Sequence, residues 1–495
     1  MRTGAAYRQA LRDGRRVWVM GEGLIEDLAG HPATSGMTEQ YCAWYDRHAD
    51  PDWQDTLFAP ATDANRRTPF AALLPRSVED LRGMGRCISA TTFLNAGNIT
   101  HTPAYGHLIA LGIETTVRAY GRFPDQIEAA EAYRRSIAES GRFLTFCSGA
   151  ATIGYRLRED PAERTALRLV REMDRGVVIS GKVGMHTSPA WAEDVYIGAH
   201  NGVDIGGHRA TFVIPVNAPG VTVVCRKVAA REANRFVSPL SSSNDELDGQ
   251  LWLDQVFVPY SQVFLVEPNV EPIARWLFWH QLYGWLSKAE FALGLAMACT
   301  EAMGLRQHPP TVELLMDIVT GVQTVRSCLT AAEFDACFTP EGYAYPNHSH
   351  LAAGSIAMPK ARQGITETLR VLPGSSLVVA PTDWDLASPE MGPGLTESFG
   401  GGGFTALQRA ALLQMASDHA CSALDARESA FELHANGGVT AWRGRLRQSF
   451  GRWNDLANAV LRQAVVPMPP VDLSAIGAAP LAPRRPVTPP SAKAR

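Results

Sequence analysis

Residues Gly176–His200 read GVVISGKVGMHTSPAWAEDVYIGAH. Val177–Ser180 and Asp194–Ala199 are short runs rich in β-branched residues. Between them, Met185-His186-Thr187-Ser188-Pro189-Ala190 is polar and turn-forming. Two strands flanking a hydroxyl-rich turn with one histidine describe either an ordinary sheet connection or part of a site for a polar ligand. The stretch lies between a helix-rich first third and a helix-rich last half, so it fixes where the sheet falls in the chain.

Working outward, Ala210–Pro215, Val221–Cys225, Leu251–Val258 and Gln262–Val266 are further strand-like runs punctuated by Gly, Pro, Asn and Asp. Together they predict an antiparallel sheet or small β-barrel over about 151–270. Before it, 1–150 reads as a helical lobe, with the strand-like Val17–Met20 and helices over Thr38–Arg47, Ser77–Thr92, Pro103–Ala119 and Pro124–Gly141. A further helix is predicted over Pro161–Met173. Ser77-Val78-Glu79-Asp80 is a helix-start signal. After it, Ile273–Leu305 is apolar almost all round, as expected at the centre of a bundle. Helices over Val312–Cys337, Ser349–Val371, Gly403–His434 and Val439–Gln463 complete that bundle, 271–466. The stretch 467–495, rich in Pro and Ala, is expected to be disordered. The fold class is α+β, and the element order excludes a Rossmann arrangement. Gly400–Gly403 lacks the spacing of a dinucleotide-binding turn.

The 495 residues are 46% hydrophobic and 19% charged, with net charge −4. Neither nucleic acid nor an anionic membrane is an expected partner. No apolar run is long enough to span a bilayer, and MRTGAAYRQALRDGRR lacks a signal core, so a cytoplasmic protein is expected. The eight cysteines include no C-x-x-C pair, which argues against structural zinc and a disulfide framework.

Four stretches hold candidate chemistry. In Asn98–His107, Pro103 suits a first helical turn capped by Thr100 or Thr102, with His101 just before it and Tyr105 in it. An imidazole and a phenol at a helix start could act on a phenol or carboxylate; the alternative is a capping loop with a surface histidine. Phe143–Thr152 is a small, polar stretch at the lobe boundary, where cofactors often bind, or a plain linker. Ser238–Gly249 carries three carboxylates and reads as a solvated loop rather than a cation site. His280 and Lys288 share nearly one face of the apolar helix and read as a core pair.

Several of these stretches together resemble one family. Phe212–Val221 (FVIPVNAPGV), Cys225-Arg226, Ser238-Pro239-Leu240-Ser241-Ser242, Asp245-Glu246, Phe257-Val258-Pro259 and Ser388-Pro389-Glu390 are similar to motifs of the 4-hydroxyphenylacetate 3-hydroxylase family, in its reduced-flavin phenol and chlorophenol monooxygenase branch. The resemblance runs over about 2–465. It implies an acyl-CoA dehydrogenase-like fold of N-terminal helical lobe, central β-barrel and C-terminal helix bundle, and a homodimer or homotetramer. It also implies a reduced FAD cofactor supplied by a separate flavin reductase, with hydroxyl transfer from oxygen to a small aromatic substrate. On this resemblance His101 and Tyr105 are the catalytic candidates and, with Phe146, contact substrate. Phe146, Cys147, Ser148, Thr152, Thr187, Ser188 and Arg427 are the flavin contacts, and no metal is expected.

Departures from the family pattern sharpen the expectation. His101 stands where the hydroxylases place an arginine before Thr102-Pro103-Ala104-Tyr105, and Phe146 stands where they place a histidine. Arg427 is kept in a phosphate-binding motif that here also contains Asp425. The iron–sulfur cluster of the sister 4-hydroxybutyryl-CoA dehydratases is excluded, since Ser287 replaces a ligating cysteine. Loss of the arginine suits phenols without a carboxylate, or larger natural-product intermediates. The alternative is a member repurposed for isomerase, lyase or cyclase chemistry with weakened or absent flavin binding.

Overall fold

The computed structural model describes residues 1–60, 67–121, 123–147, 154, 157–159, 167–198, 203–230, 234–266 and 274–478. Its sheet is built from β1 (Val17–Val19), β2 (Gly23–Ile25), β3 (Leu144–Cys147), β4 (Leu167–Met173), β5 (Gly176–Thr187), β6 (Asp194–Ile197), β7 (Val203–Ile205), β8 (His208–Pro215), β9 (Val221–Cys225), β10 (Asp248–Pro259) and β11 (Val263–Val266). Pairing runs β11-β8-β6-β3-β5-β10-β9-β1-β2, with β4 on β5 and β7 on β8. It is mixed rather than purely antiparallel, because β1 lies parallel to β9 and β3 parallel to β6.

The opening stretch is the middle of this sheet. β5 does not stop at Ser180 but continues through His186 and Thr187, because β10 stays paired with it as far as Asp248 opposite Thr187. The turn therefore begins at Ser188. That residue takes a positive φ of 57°, unusual for a residue with a side chain.

Alternation along the strands gives the sheet two apolar faces. Leu144, Tyr196, Val213 and Phe264 join the core of Leu108, Ile113, Trp276, Trp279, Trp285 and Leu351. Cys147, Ile197, Phe212 and Val223 join a second core with Tyr7, Tyr41, Trp44 and Trp191. Helices Gly4–Ala10 and Pro32–Asp46 thus share a core with one face of the sheet, Val78–Phe93 packs with the C-terminal helices, and Pro103–Tyr120 packs between β3 and those helices. The 29-residue helix Ala274–Ala302 sits at the centre of that second group, as its all-round apolar surface requires. A Ser77–Asp80 capping box starts Val78–Phe93.

Three helix expectations change. In Pro161–Met173, residues 161–166 fall outside the described set and 167–173 form β4, an edge strand on β5. The helix expected over 403–434 divides at Ser422, whose side chain accepts from the Leu424 and Asp425 amides and starts a new helix, Ala423–His434. The one expected over 439–463 divides into Gly438–Ser449 and Trp453–Leu461 around Gly451, which has φ +68°. Of the expected tail, Ser474–Ala478 is a short helix and 479–495 lies outside the described residues.

Candidate active site

Pro103 opens helix Pro103–Tyr120, which is buried from Pro103 to Val117. Gly106 lets it approach β3 closely. A Cβ there would lie 2.7 Å from the Leu144 carbonyl oxygen. Tyr105 is thereby held between the sheet and the helix bundle. Thr102 occupies the capping position without a side-chain cap bond. Thr100 is used elsewhere, its hydroxyl lying 2.9 Å from Glu246 Oε2.

His101 is a buried residue, not a surface one. Its ring meets Tyr105 edge-on at 4.4 Å, and Tyr105 meets His280 edge-on at 5.0 Å. His280, read from sequence as half of a core pair with Lys288, thus belongs to this column, and its Nδ1 has no partner. Burial, with the nearby His101, pushes the His280 imidazole down to about 3, so it stays neutral. Burial and the Glu246 charge hold Tyr105 far above the ordinary phenol range, so its hydroxyl remains a donor.

Phe146 lies on the same sheet face as Leu144, half-buried against the helical core and stacked with Tyr196 at 5.9 Å and 22°. Cys147 points to the opposite face, its thiol 3.8 Å from the Gly184 carbonyl and inside the second core. Strand alternation therefore places the Cys147 side chain on the face opposite Phe146, the other residue of this strand expected beside the flavin. Ser148 and Thr152 lie outside the described residues.

The hydroxyls of the turn are committed to the protein. Thr187 Oγ1 donates to Asp248 Oδ1 at 3.0 Å. Ser188 is fully buried, and its Oγ lies 2.7 Å from the Tyr41 hydroxyl, which donates to the His101 carbonyl oxygen at 2.9 Å. The turn is thus tied to the start of the Tyr105 helix rather than presented to solvent. His186 is fully buried, with Nε2 3.2 Å from the Val183 carbonyl, and burial pushes it down to about 4.

Arg427 is also committed. Its Nε donates to Asp248 Oδ2 at 2.7 Å, and its Nη1 pairs with Glu428. Two carboxylates therefore partner Arg427, the residue that the resemblance places among the flavin contacts. Asp425, expected to repel a phosphate, is ion-paired with Arg362 at 2.8 Å and Arg370 at 3.0 Å. Lys288 is fully buried between Glu428 and Glu432.

The stretch 238–249 is not a solvated loop. Ser241, Asn244, Asp245, Glu246 and Asp248 are buried. Asp418 accepts from the Leu240 and Ser241 amides, both at 2.8 Å. Glu246 accepts from the Thr100 and His101 amides at 3.1 and 2.8 Å. Sequence reasoning passed over Tyr41, read Glu246 and Asp248 as part of a solvated loop, and read His280 as a core residue. The close spacing of Asp245, Glu246 and Asp248 was the available signal, since a loop that crowds carboxylates needs donors close by.

Two family models match the chain: the 4-hydroxyphenylacetate 3-hydroxylase N-terminal model over residues 3–265 and the C-terminal model over 274–462. The chain is 28% identical to the oxygenase component of a 4-nitrophenol 4-monooxygenase/4-nitrocatechol 2-monooxygenase of Rhodococcus opacus, over 87% of this chain and 85% of that protein. It is 29% identical to the FADH(2)-dependent monooxygenase TftD of Burkholderia cepacia, over 78% and 77%. Its fold matches the crystal structure of the oxygenase component of a 4-hydroxyphenylacetate 3-monooxygenase complexed with FAD, with a TM-score of 0.84 at 24% identity over 94% of this chain and 99% of that one. The α+β, acyl-CoA dehydrogenase-like fold expected from the sequence is the one found; among the described residues the sheet runs from β11 to β2 without a pairing that closes it into the expected barrel.

Proposed function

The chain belongs to the 4-hydroxyphenylacetate 3-hydroxylase family, and on that premise we propose that it is the oxygenase component of a two-component monooxygenase, using reduced FAD and oxygen to hydroxylate a phenolic or related aromatic substrate. The observation that carries this reading is the buried His101–Tyr105–His280 column. The names of the relatives support hydroxylation over the isomerase, lyase or cyclase alternative.

The residues suit the flat part of a flavin. Phe146 offers a half-buried aromatic face, and His280 Nδ1 an unpartnered ring nitrogen. Arg427, the cation expected among the flavin contacts, is paired with Asp248 and Glu428. Bound reduced FAD supplies the oxygen activation. The chain's own part is to hold the ring of the substrate in an apolar slot, to keep water out, and to donate a hydrogen bond from Tyr105, whose proton burial retains. Without an arginine in the column, a substrate carboxylate has no partner there, which favours simple phenols.

The proposal includes a flavin reductase as transient partner, a cytoplasmic setting and a homodimer or homotetramer. No cysteine is disulfide-bonded, and no helix among the described residues is long and apolar enough to cross a membrane. Self-association is supported by the exposed apolar run of Val378, Val379, Trp384 and Met391, the first 85% and the third 76% exposed. A division near 150 and 270 into helical lobe, sheet and bundle belongs to the same reading.

The test is direct. Purified protein is mixed with reduced FAD, oxygen and a series of nitro- and chlorophenols, and hydroxylated products are measured by chromatography. Product formation is expected. Failure to bind reduced FAD, with no product from any phenol, overturns the proposal.

A further inference from the structure

His101 Nδ1 lies 3.0 Å from Thr100 Oγ1, and that hydroxyl lies 2.9 Å from Glu246 Oε2. The order of donors in this chain follows from the acceptor at its end. Glu246 is fully buried and takes two amides, Thr100 and His101, as well as the hydroxyl. A carboxylate is a stronger acceptor than a neutral imidazole, so the Thr100 proton points at Glu246. Thr100 Oγ1 then has only a lone pair to offer His101, and Nδ1 must carry the hydrogen. The other nitrogen, Nε2, is left as a lone pair with no protein partner among the described residues.

We infer that Glu246 and Thr100 are positioning residues that set the tautomer of His101, making its Nε2 the base that takes the hydroxyl proton of a bound phenol. The inference rests on the phenol-binding reading above. The phenol O–H bond breaks, the proton moves to Nε2, and the electron pair stays on the phenolate oxygen. Nothing needs to move along Nδ1–Thr100–Glu246. The carboxylate, its Oε1 3.7 Å from Nδ1, stabilises the imidazolium that results. The other groups facing His101 are neutral: Tyr105 and His280 in the column, and the Tyr41 hydroxyl on its carbonyl oxygen. Glu246 is therefore the charge that decides where the proton rests. A phenolate directs electrophilic oxygen to its ring more strongly than a phenol does. The relay thus supplies the activation that the relatives' arginine position no longer can.

The experiment uses the full chain without flavin and 4-nitrophenol as probe, because its ionised form is coloured differently from its neutral form. Binding is followed at a pH one unit below the ionisation midpoint of the free dye. Wild type is expected to hold the dye mainly as phenolate. Thr100→Val and Glu246→Gln are expected to lower the bound phenolate-to-phenol ratio about tenfold, and Thr100→Ser to restore it. Thr100→Val keeps the test open should the buried Glu246→Gln variant not fold. An unchanged ratio in Thr100→Val, a neutral dye on wild type, or no dye binding overturns the inference. If wild type ionises the dye through this relay yet forms no hydroxylated product with reduced FAD, the relay stands and the monooxygenase reading fails. Hydroxylation with an unchanged ratio gives the reverse result.

Discussion

Lys288→Met tests how the buried charges beneath the site are balanced. The ammonium is fully buried on helix Ala274–Ala302, and it bonds Glu428 and, at 2.8 Å, Glu432. Both acids lie on helix Ala423–His434. Burial alone would push the Glu428 carboxyl up, but Arg427 and Lys288 outweigh it and hold the group at about 2, against an ordinary 4.5. At ~1.4 kcal/mol per unit, that depression corresponds to about 3 kcal/mol, shared between the two cations. Glu432 would also lose its closest cation, leaving Arg362 at 3.6 Å. The expected loss is about 3–5 kcal/mol, the range for breaking one side of a buried pair. The sign with pH follows from the depressed carboxyl. Its contribution is present above about 4.5 and lost as pH falls toward about 2. The variant should therefore unfold at a higher pH than wild type on acidification. Urea unfolding followed by tryptophan fluorescence gives the stability difference at neutral pH, and acid titration gives the shift. Lys288→Met with Glu432→Leu should recover part of the loss, since an apolar pair replaces a half-broken ionic one. A stability change below ~1 kcal/mol at neutral pH, with the acid midpoint unmoved, refutes the reasoning.

Other outcomes follow from single contacts. Gly97→Ala should cost about 2 kcal/mol or more by thermal unfolding, because φ is +69° and the new Cβ would meet the Lys288 backbone at 2.4 Å. Asp248→Asn should lower the unfolding free energy measured in urea by roughly 3 kcal/mol, as Arg427 loses the charge of one of its two carboxylates. Tyr105→Phe should cut turnover of a phenol roughly 100-fold by steady-state assay while leaving the unfolding midpoint within ~1 kcal/mol. Gly106→Val should weaken phenol binding in an equilibrium titration, since the helix must lift away from Leu144.

The order of helices, sheet and bundle was legible because amphipathic period and β-branched runs are local signals. Helix Ala274–Ala302 and the centre of β5 are read directly from composition. β4 was misread because an edge strand with alternating charged residues, LRLVREM, carries little apolar pattern. β3 was missed for a different reason: Leu144–Cys147 is only four residues long and owes its conformation to β6 and the helix crossing at Gly106. At the site, His101 and Tyr105 could be named from their neighbours in sequence. Their burial, and the recruitment of His280, depends on a contact between chain segments some 175 residues apart. Thr187 and Ser188 stand out in the sequence, but the partners that occupy their hydroxyls, Asp248 and Tyr41, are fixed only by tertiary packing. Ser238–Gly249 shows the same gap. Its polarity suggests water, whereas its acids are matched by donors from the Asn98–Thr102 segment, Arg226 and Arg427.

The Tyr41 hydroxyl joins residues that otherwise have little to do with one another: a helix of the first 50 residues, the turn after β5 and the backbone of His101. In terms of substrate range, this divides the proposed phenol site into a fixed and a variable wall. Changes around Ser188 or Tyr41 propagate into the placement of His101, so selection for new substrates by substitution there trades directly against the proton-accepting geometry. Phe146, half-buried and without a polar bond to satisfy, carries no such link. A library built to admit larger rings is best confined to the Phe146 side, with the Tyr41 hub left intact.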